Sequence, residues 1–474
     1  MDVSMSTTSQ SFAIIGGGLT GLTAAWRLQR EGHRVTVFER APRVGGAITT
    51  HIQDGWLAEA GPNSLQETPE VTKLINELGL GRERLAASPA ARNRYIVRGG
   101  RLVPAPRSPQ SFLVSPLFSL RARFRVLREM LTRSRVRTTD LSLASFIGSH
   151  FGQEIVDYGL NPLIGGIYAG DPDKLSARYA FPNLWQLERR YGSLLRGLRA
   201  QAAERRARGE SSGMVPVISF ERGLQTLPAA LAAALLTGEH GRAATAPVIR
   251  TGANVTSLIP GRPWKIVWNE GEAVHSAEFD AVLLAAPAPA LSQLVFGTLG
   301  ERPLASLDHL PHPPVSTVLL GFRREQVRHS LDGFGALVPA REQRSLLGVL
   351  FSSTLFHGRA PEGHVALTVF AGGMRQPDAA RLPTPELLAR VLPDLRDLLG
   401  ITGDPVFTHH TFWPKAIPQY NVGHDRFLEP LTQCENRHNG LFIGGNARDG
   451  ISLPDCIRSG QKLAGRAAEY TARL

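Results

Sequence analysis

Three features of the 474-residue sequence predict an α/β fold with α+β insertions. The chain opens on a glycine-rich strand–turn–helix–strand, closes on a second strand–glycine loop–helix, and alternates helical and β-rich segments between them. The opening reads FAIIGGGLTGLTAAWRLQREGHRVTVFERAPRVGG, from Phe12 to Gly46. Phe12 to Ile15 is an apolar strand, and Gly16, Gly18 and Gly21 stand in G-x-G-x-x-G spacing. Leu22, Ala25 and Leu28 mark an amphipathic helix, and a second strand, Val35 to Phe38, ends in Glu39. That order is a Rossmann-like dinucleotide-binding unit. Gly16 permits the turn, Gly18 lets the backbone approach a pyrophosphate, Gly21 lets helix and strand pack closely, and Glu39 accepts from a ribose hydroxyl.

After Gly46, ITTHIQDGWLAEAGPNSL reads as a short hairpin followed by a tight loop at Gly61, Pro62, Asn63 and Ser64, and PEVTKLINELGL as a helix. NRYIVRGGRLVPAP is strand-like, and an arginine-rich helical region runs from there to about residue 209. VISFERGLQTLPAALAAALL is a strand–turn–helix, followed by β-rich sequence to about residue 300. Strands then mix with one helix, PELLARVLPDLRDLLG, before GLFIGGNARDGISLPDCIRSGQKLAGRAAEY returns to strand, glycine loop and long helix. The nucleotide domain is therefore expected to be discontinuous, in residues 1–90, 205–300 and 405–474. A helical insertion occupies 91–204 and a β-rich substrate domain 301–404.

Composition excludes several classes. With 42% hydrophobic and 20% charged residues the chain is an ordinary folded protein. The polar MDVSMSTTSQ has no signal-peptide pattern, and no apolar run approaches the ~18 residues of a spanning helix. Cys434 and Cys456 form neither a CxxC nor a cluster with histidine, so no metal site is indicated and two buried thiols are expected. The net charge of +12 calls for an anionic partner without saying which, and no nucleic-acid-binding signature accompanies it. Within the helical region Leu117, Leu120, Phe124, Leu127 and Leu131 recur at helical spacing, with Arg121, Arg125, Arg128 and Arg135 on other faces. Such a helix can lie on an anionic bilayer with its stripe inserted, or pack on its own domain with a solvated arginine face.

Two features favour FAD as the dinucleotide. Arg43-x-Gly45-Gly46 follows closely on Glu39, suiting a backbone that approaches a long extended dinucleotide. The C-terminal strand–loop–helix offers a second helix N-terminus near Ser452 and Leu453 for the pyrimidine end of a flavin. No nucleophile, paired-carboxylate or metal constellation is assignable, which fits a cofactor that performs the hydride chemistry itself.

Four segments carry a family likeness: GGIYAGDPDKLSARYAFPNLWQLERRYGSL (165–194), GFGALVP (333–339), WPKAIPQYNVGH (413–424) and GNARDGISLPDCIRSG (445–460). Through them the whole chain resembles the flavin-dependent protoporphyrinogen oxidases of haem biosynthesis, in the superfamily of monoamine oxidases and phytoene desaturases. The resemblance implies FAD contacts at Gly16, Gly17, Gly18, Leu19, Thr20, Gly21, Glu39, Arg40, Ala47, Gly61, Pro62, Asn63, Ser64, Val255, Trp413, Ile451, Ser452 and Leu453. It implies a substrate cavity lined by Arg94, Gly166, Phe334, Leu337, Leu347 and Phe370, with Arg94 holding a propionate and Gly166 offering a backbone carbonyl. By pattern alone the four apolar residues read as core. The implied reaction is six-electron oxidation of protoporphyrinogen IX by molecular oxygen, with hydrogen peroxide formed and no general base assignable. A related branch oxidises coproporphyrinogen III, and a flavin amine oxidase or a non-catalytic escort protein are more distant alternatives. The family's helical insertion is its membrane-associated part, so SFLVSPLFSLRARF is expected to face a membrane. Peripheral association at the cytoplasmic face and a homodimer are likewise implied. Asn63, Arg448 and Asp449 depart from some relatives, so the flavin-facing loop is expected to be tuned differently.

Overall fold

The computed structural model describes residues 9–131, 137, 139–209, 215–237 and 248–473. The N-terminal tract 1–8, read above for a leader, and Arg135 lie outside the described residues.

A parallel five-stranded sheet is assembled from distant parts of the chain, in the order Val248–Thr251, Arg34–Glu39, Ser11–Ile15, Ala281–Leu284 and Leu441–Ile443. Its strands are nearly continuous apolar runs because both faces are covered. Phe12, Ile14, Val35, Val37 and Leu283 point into one core, and Ala13, Ile15, Phe38, Val282 and Leu284 into the other. Helices Leu19–Arg30 and Leu453–Thr471 cover the first face, and a β-sheet that includes Ala253–Ile259 and Trp264–Glu270 lies over the second. The two helices cross closely because Gly460 has no side chain: a Cβ there would stand 2.5 Å from the Thr20 carbonyl oxygen. Cys434 is buried, whereas Cys456 is only half-buried, since its helix turns it toward the first helix at an incompletely covered position.

A seven-stranded sheet runs in the order Phe407–Trp413, Val315–Arg323, His364–Gly372, Gly348–Leu350, Gly333–Leu337, Asn93–Arg98 and Arg101–Pro104. It joins Asn93–Arg98 and Arg101–Pro104, from the expected helical insertion, and Phe407–Trp413, from the expected third piece of the nucleotide domain, to strands of the 301–404 segment. Asn93–Arg98 pairs in parallel with Gly333–Leu337, and Phe407–Trp413 pairs along most of Val315–Arg323, because an extended strand must place its backbone donors and acceptors on a neighbour. One face packs Val318, Leu320, Val349 and Val369 against Leu387, Val391 and Leu395 of helix Thr384–Leu399. The other face carries two registered rows, Arg94–Gly335–Leu350–Thr368 and Ile96–Leu337–Gly348–Phe370.

The helical segment has its own core around Phe146, Ile164, Trp185 and Leu187. Helix Leu120–Glu129 turns Ala122 and Glu129 inward and leaves Leu120 (78% exposed), Phe124 (69%) and Leu127 outside, followed by exposed Leu131. Leu117 does not share that stripe: it precedes the helix and is buried with Ile96 and Phe118. The alternative in which these leucines pack on their own domain is thereby overturned for all but Leu117. Among the described residues no helix is long and apolar enough to cross a membrane.

Candidate functional site

The glycine turn has the geometry its spacing predicts. Gly16 sits at φ +111°, where a Cβ would lie 2.8 Å from the Ala285 carbonyl carbon, and a Cβ on Gly21 would stand 1.9 Å from the Gly16 oxygen. A Cβ on Gly18, by contrast, would meet nothing within 4 Å. Helix Leu19–Arg30 has no side-chain cap and no acid in its first turn, so the first-turn amides of Leu19 and Thr20 face this open space without competition. Glu39 accepts from the Gly17 and Ala41 amides, both at 2.8 Å, which fixes its carboxylate at the end of the second strand. Arg40 beside it is exposed.

Further loops close round the same opening. The Gly45 amide donates to the Gly17 oxygen at 2.8 Å, a Cβ on Gly46 would come within 3.5 Å of Gly18 Cα, and Arg43 binds the carbonyls of Val44, Gly46 and Ile48. Ala47 abuts Gly61, where a Cβ would reach the Ala47 oxygen at 2.1 Å. Pro62 leads to Asn63, whose side-chain amide donates to the Gly61 oxygen, and then to half-buried Ser64. Trp413 Nε1 donates to the Ala60 oxygen at 2.7 Å, tying the edge of the seven-stranded sheet to this loop. Val255 pairs with Trp268, whose ring lies 4.9 Å from Phe38, so it stands near the Glu39 end.

The C-terminal loop is clamped from several sides. The buried Tyr420 hydroxyl donates to the Asn446 oxygen at 2.6 Å and accepts from the Gly450 amide at 3.0 Å. Arg448 pairs with Glu435, and Asp449 accepts from the Gly445 amide and Ser459. The two departures from the relatives' pattern therefore hold the loop from within. Ser452 and Asp455 form a capping box, so the second helix N-terminus is partly satisfied by its own residues. Ile451 and Leu453 keep amides without an acceptor among the described residues. An extended dinucleotide fits this set: an open anion cradle at Gly18, a fixed acid at Glu39, and free amides at Ile451 and Leu453 far along the chain.

On the open face of the seven-stranded sheet, Arg94 lies with its guanidinium carbon 5.1 Å from the Phe334 ring centre. It makes no ion pair among the described residues, and partial burial, then the like charge of Arg107, holds its pKa below the ordinary arginine value. Gly166, in helix Asn161–Tyr168, faces Leu337: a Cβ would stand 2.3 Å from Leu337 Cδ2. Leu347 donates from its amide to the Phe370 oxygen at 2.8 Å and packs in a small cluster with Val315 and Phe370. The structure thus gathers Gly166, Leu337, Leu347 and Phe370 together and sets Arg94 and Phe334 beside each other one row away. Sequence reasoning missed the Tyr420 clamp, the Gly460 crossing and a buried polar cluster around Glu59. For Gly460 the small residue inside the long C-terminal helix was the available signal; the other two carry no local one.

Residues 19–468 match the family described as flavin containing amine oxidoreductase. The chain belongs to that family. It is an FAD-dependent oxidoreductase. Protoporphyrinogen oxidase 2 of Arabidopsis thaliana is 34% identical to it over 97% of this chain and 94% of the relative. The coproporphyrinogen III oxidase of Bacillus subtilis is 29% identical over 98% and 99%. A crystal structure from Exiguobacterium sp. 255-15, provisionally assigned as a protoporphyrinogen oxidase, superposes with a TM-score of 0.79 at 26% identity, covering 98% of this chain and 99% of that one. A reduced UDP-galactopyranose mutase shares the fold at a TM-score of 0.71 and 18% identity, covering 98% and 97%.

Proposed function

We propose that the protein oxidises protoporphyrinogen IX to protoporphyrin IX with molecular oxygen, forming hydrogen peroxide. The observation that carries this reading is Arg94, a guanidinium without a carboxylate partner among the described residues, beside a largely apolar sheet face that holds Leu337, Leu347 and Phe370. A flat tetrapyrrole with carboxylate arms needs that combination: apolar walls for the ring and a planar fork for a propionate. In this reading Phe334, Leu337, Leu347 and Phe370 line the ring, and Gly166 admits it close to the helix backbone. Bound FAD would supply hydride-accepting chemistry, three two-electron rounds being needed for the six-electron oxidation. Gly16 to Gly21 hold its pyrophosphate, Glu39 its ribose, and the loops at Gly45–Ala47, Gly61–Ser64, Trp413 and Ile451–Leu453 its remaining length. The sheet face excludes water and fixes the ring's register, which raises the chance of a productive encounter without any nucleophile. Coproporphyrinogen III, with four propionates, is the alternative substrate. Parallel turnover of the two porphyrinogens by the FAD-loaded protein tests the assignment.

The exposed stripe of helix Leu120–Glu129 supports peripheral binding to an anionic bilayer. Leu120, Phe124, Leu127 and Leu131 are outward-facing apolar side chains flanked by Arg121, Arg125 and Arg128. Co-sedimentation with anionic vesicles tests it. A homodimer is the assembly the resemblance implies, checked by light scattering of the FAD-loaded protein.

A further inference from the structure

At the Thr368 end of the face assigned to the porphyrinogen lies a small cavity of mixed polar and apolar lining, whose buried carboxylate the functional reading leaves unused. It is lined by Glu59, Asn63, Leu350, Ser352, Arg359 and Thr368, among others. Leu350 and Thr368 belong to the row next to Phe370, and Thr368 is two residues from Phe370 along the same strand, so both sit on that strand's substrate-facing side. Asn63 belongs to the loop expected to meet the flavin. The cavity therefore adjoins both proposed sites.

Its two ionisable groups are buried and do not pair directly with each other. Glu59 is 5% exposed and accepts from Thr50 Oγ1 and the Leu224 amide, each at 2.7 Å. Arg359 is 2% exposed and donates to Ser219 Oγ at 2.8 Å and to the Phe220 oxygen at 3.1 Å, with no carboxylate within ion-pair distance among the described residues. Ser352 and Thr368 share a hydrogen bond of 2.7 Å. The water-accessible space is about 10 Å³. That is about one water's worth, and the lining offers more than the two to four polar partners such a water needs.

We infer that Glu59, through a water in this cavity, is the acceptor for the pyrrole N–H proton released in each two-electron round. The inference rests on the porphyrinogen reading. The pyrrole N–H bond breaks with its electron pair retained by the ring, the proton passes to the cavity water, and a proton of that water forms the O–H bond of Glu59. The hydride leaves a meso carbon with its own electron pair for the flavin. Reduction of dioxygen to hydrogen peroxide consumes one proton besides that hydride, so Glu59 is returned to its carboxylate and the count closes each round. Burial supports the assignment, pushing the Glu59 carboxyl up to about 7, against the hydrogen bonds from Thr50 and Leu224 and the charge of Arg359. Of the groups facing Glu59 from the hairpin, the 223–225 loop and the segment after Phe356, only Arg359 is charged. A carboxylate so placed exchanges protons near neutrality, as a proton acceptor requires.

The test compares FAD-loaded wild type with Glu59→Gln in turnover across the neutral pH range, alongside unfolding of both proteins against pH. Wild-type kcat should fall on the acid side with a midpoint near 7, and the variant should lose that limb and run about 10²-fold slower with its FAD affinity kept. The unfolding readout needs no turnover. An acid whose folded pKa lies above its unfolded value of 4.5 costs the fold stability as pH rises from 4.5 to about 7, and the cost is constant above that. The stability gap between Glu59→Gln and wild type should therefore move in the variant's favour through that window. Thr368→Val, which removes a cavity hydroxyl and keeps Glu59, should slow turnover while preserving the midpoint, and it carries the test if Glu59→Gln does not fold. An unchanged pH profile in Glu59→Gln, or an unslowed Thr368→Val, overturns the inference and leaves the porphyrinogen reading standing. Wild-type protein that oxidises neither porphyrinogen overturns both.

Discussion

Gly18 and Gly21 stand three residues apart, yet alanine at each should do opposite things. At Gly21 the new methyl would lie 1.9 Å from the Gly16 carbonyl oxygen, 1.1 Å inside the 3.0 Å floor for real Cβ contacts, and the obstacle is backbone. Helix and strand must separate, an overpacking cost of about 1–3 kcal/mol, or roughly 5- to 150-fold in the folded-to-unfolded ratio. At Gly18 the backbone is already at φ −75°, ψ 179°, which alanine adopts freely, and the methyl would meet nothing. The FAD-free Gly18→Ala protein should keep its stability within about 0.5 kcal/mol. Its methyl, however, fills the space assigned to the pyrophosphate, so FAD affinity should fall at least about tenfold, near 1.4 kcal/mol. Urea unfolding of the FAD-free proteins and flavin-fluorescence titration separate the two effects. A Gly18→Ala protein that binds FAD as tightly as wild type would mean that the cradle is not where the pyrophosphate lies.

Other perturbations reach the rest of the account. Arg94→Ala should raise the porphyrinogen KM about tenfold or more, as one lost charged contact does, with FAD content unchanged; an unaltered KM removes Arg94 from the site. Phe124→Ser should weaken binding to anionic vesicles about ten- to a hundredfold, the loss of one inserted aromatic, and added salt should weaken the wild type as well. Ser452→Ala removes the cap of helix Leu453–Thr471 and should cost about 1 kcal/mol in unfolding experiments, while retention of full stability would mean the capping box contributes nothing.

The nucleotide unit was readable because its constraints are local. Gly21 answers to the Gly16 carbonyl five residues away and Glu39 falls at the end of the next strand, whereas Gly16 also answers to Ala285 and Gly18 to no protein atom at all. Strand partners are another matter. Nothing in NRYIVRGGRLVP announces that it will pair with residues more than 200 positions later, nor in FTHHTFW that it edges the same sheet. Phe334, Leu337 and Phe370 have the pattern of core because a ligand-facing strand alternates as a core-facing one does. The amphipathic helix was legible as a helix, but the identity of its packed face was not, and Leu117 was drawn into a stripe it does not share. At Ser452 the Ser-x-x-Asp spacing to Asp455 is itself the signal of the capping box that the structure shows. Glu59 and Arg359 carry no local signal, since 300 residues separate two groups that meet only across a cavity.

The most direct measurement is aerobic turnover of the FAD-loaded protein on protoporphyrinogen IX and coproporphyrinogen III in parallel, followed by porphyrin fluorescence. Fluorescence rising faster with protoporphyrinogen IX, with hydrogen peroxide formed alongside, is the result the Arg94 face predicts. Faster oxidation of coproporphyrinogen III would move the protein to the other branch. Turnover of neither, by protein carrying its flavin, would contradict the assignment of that face to a tetrapyrrole.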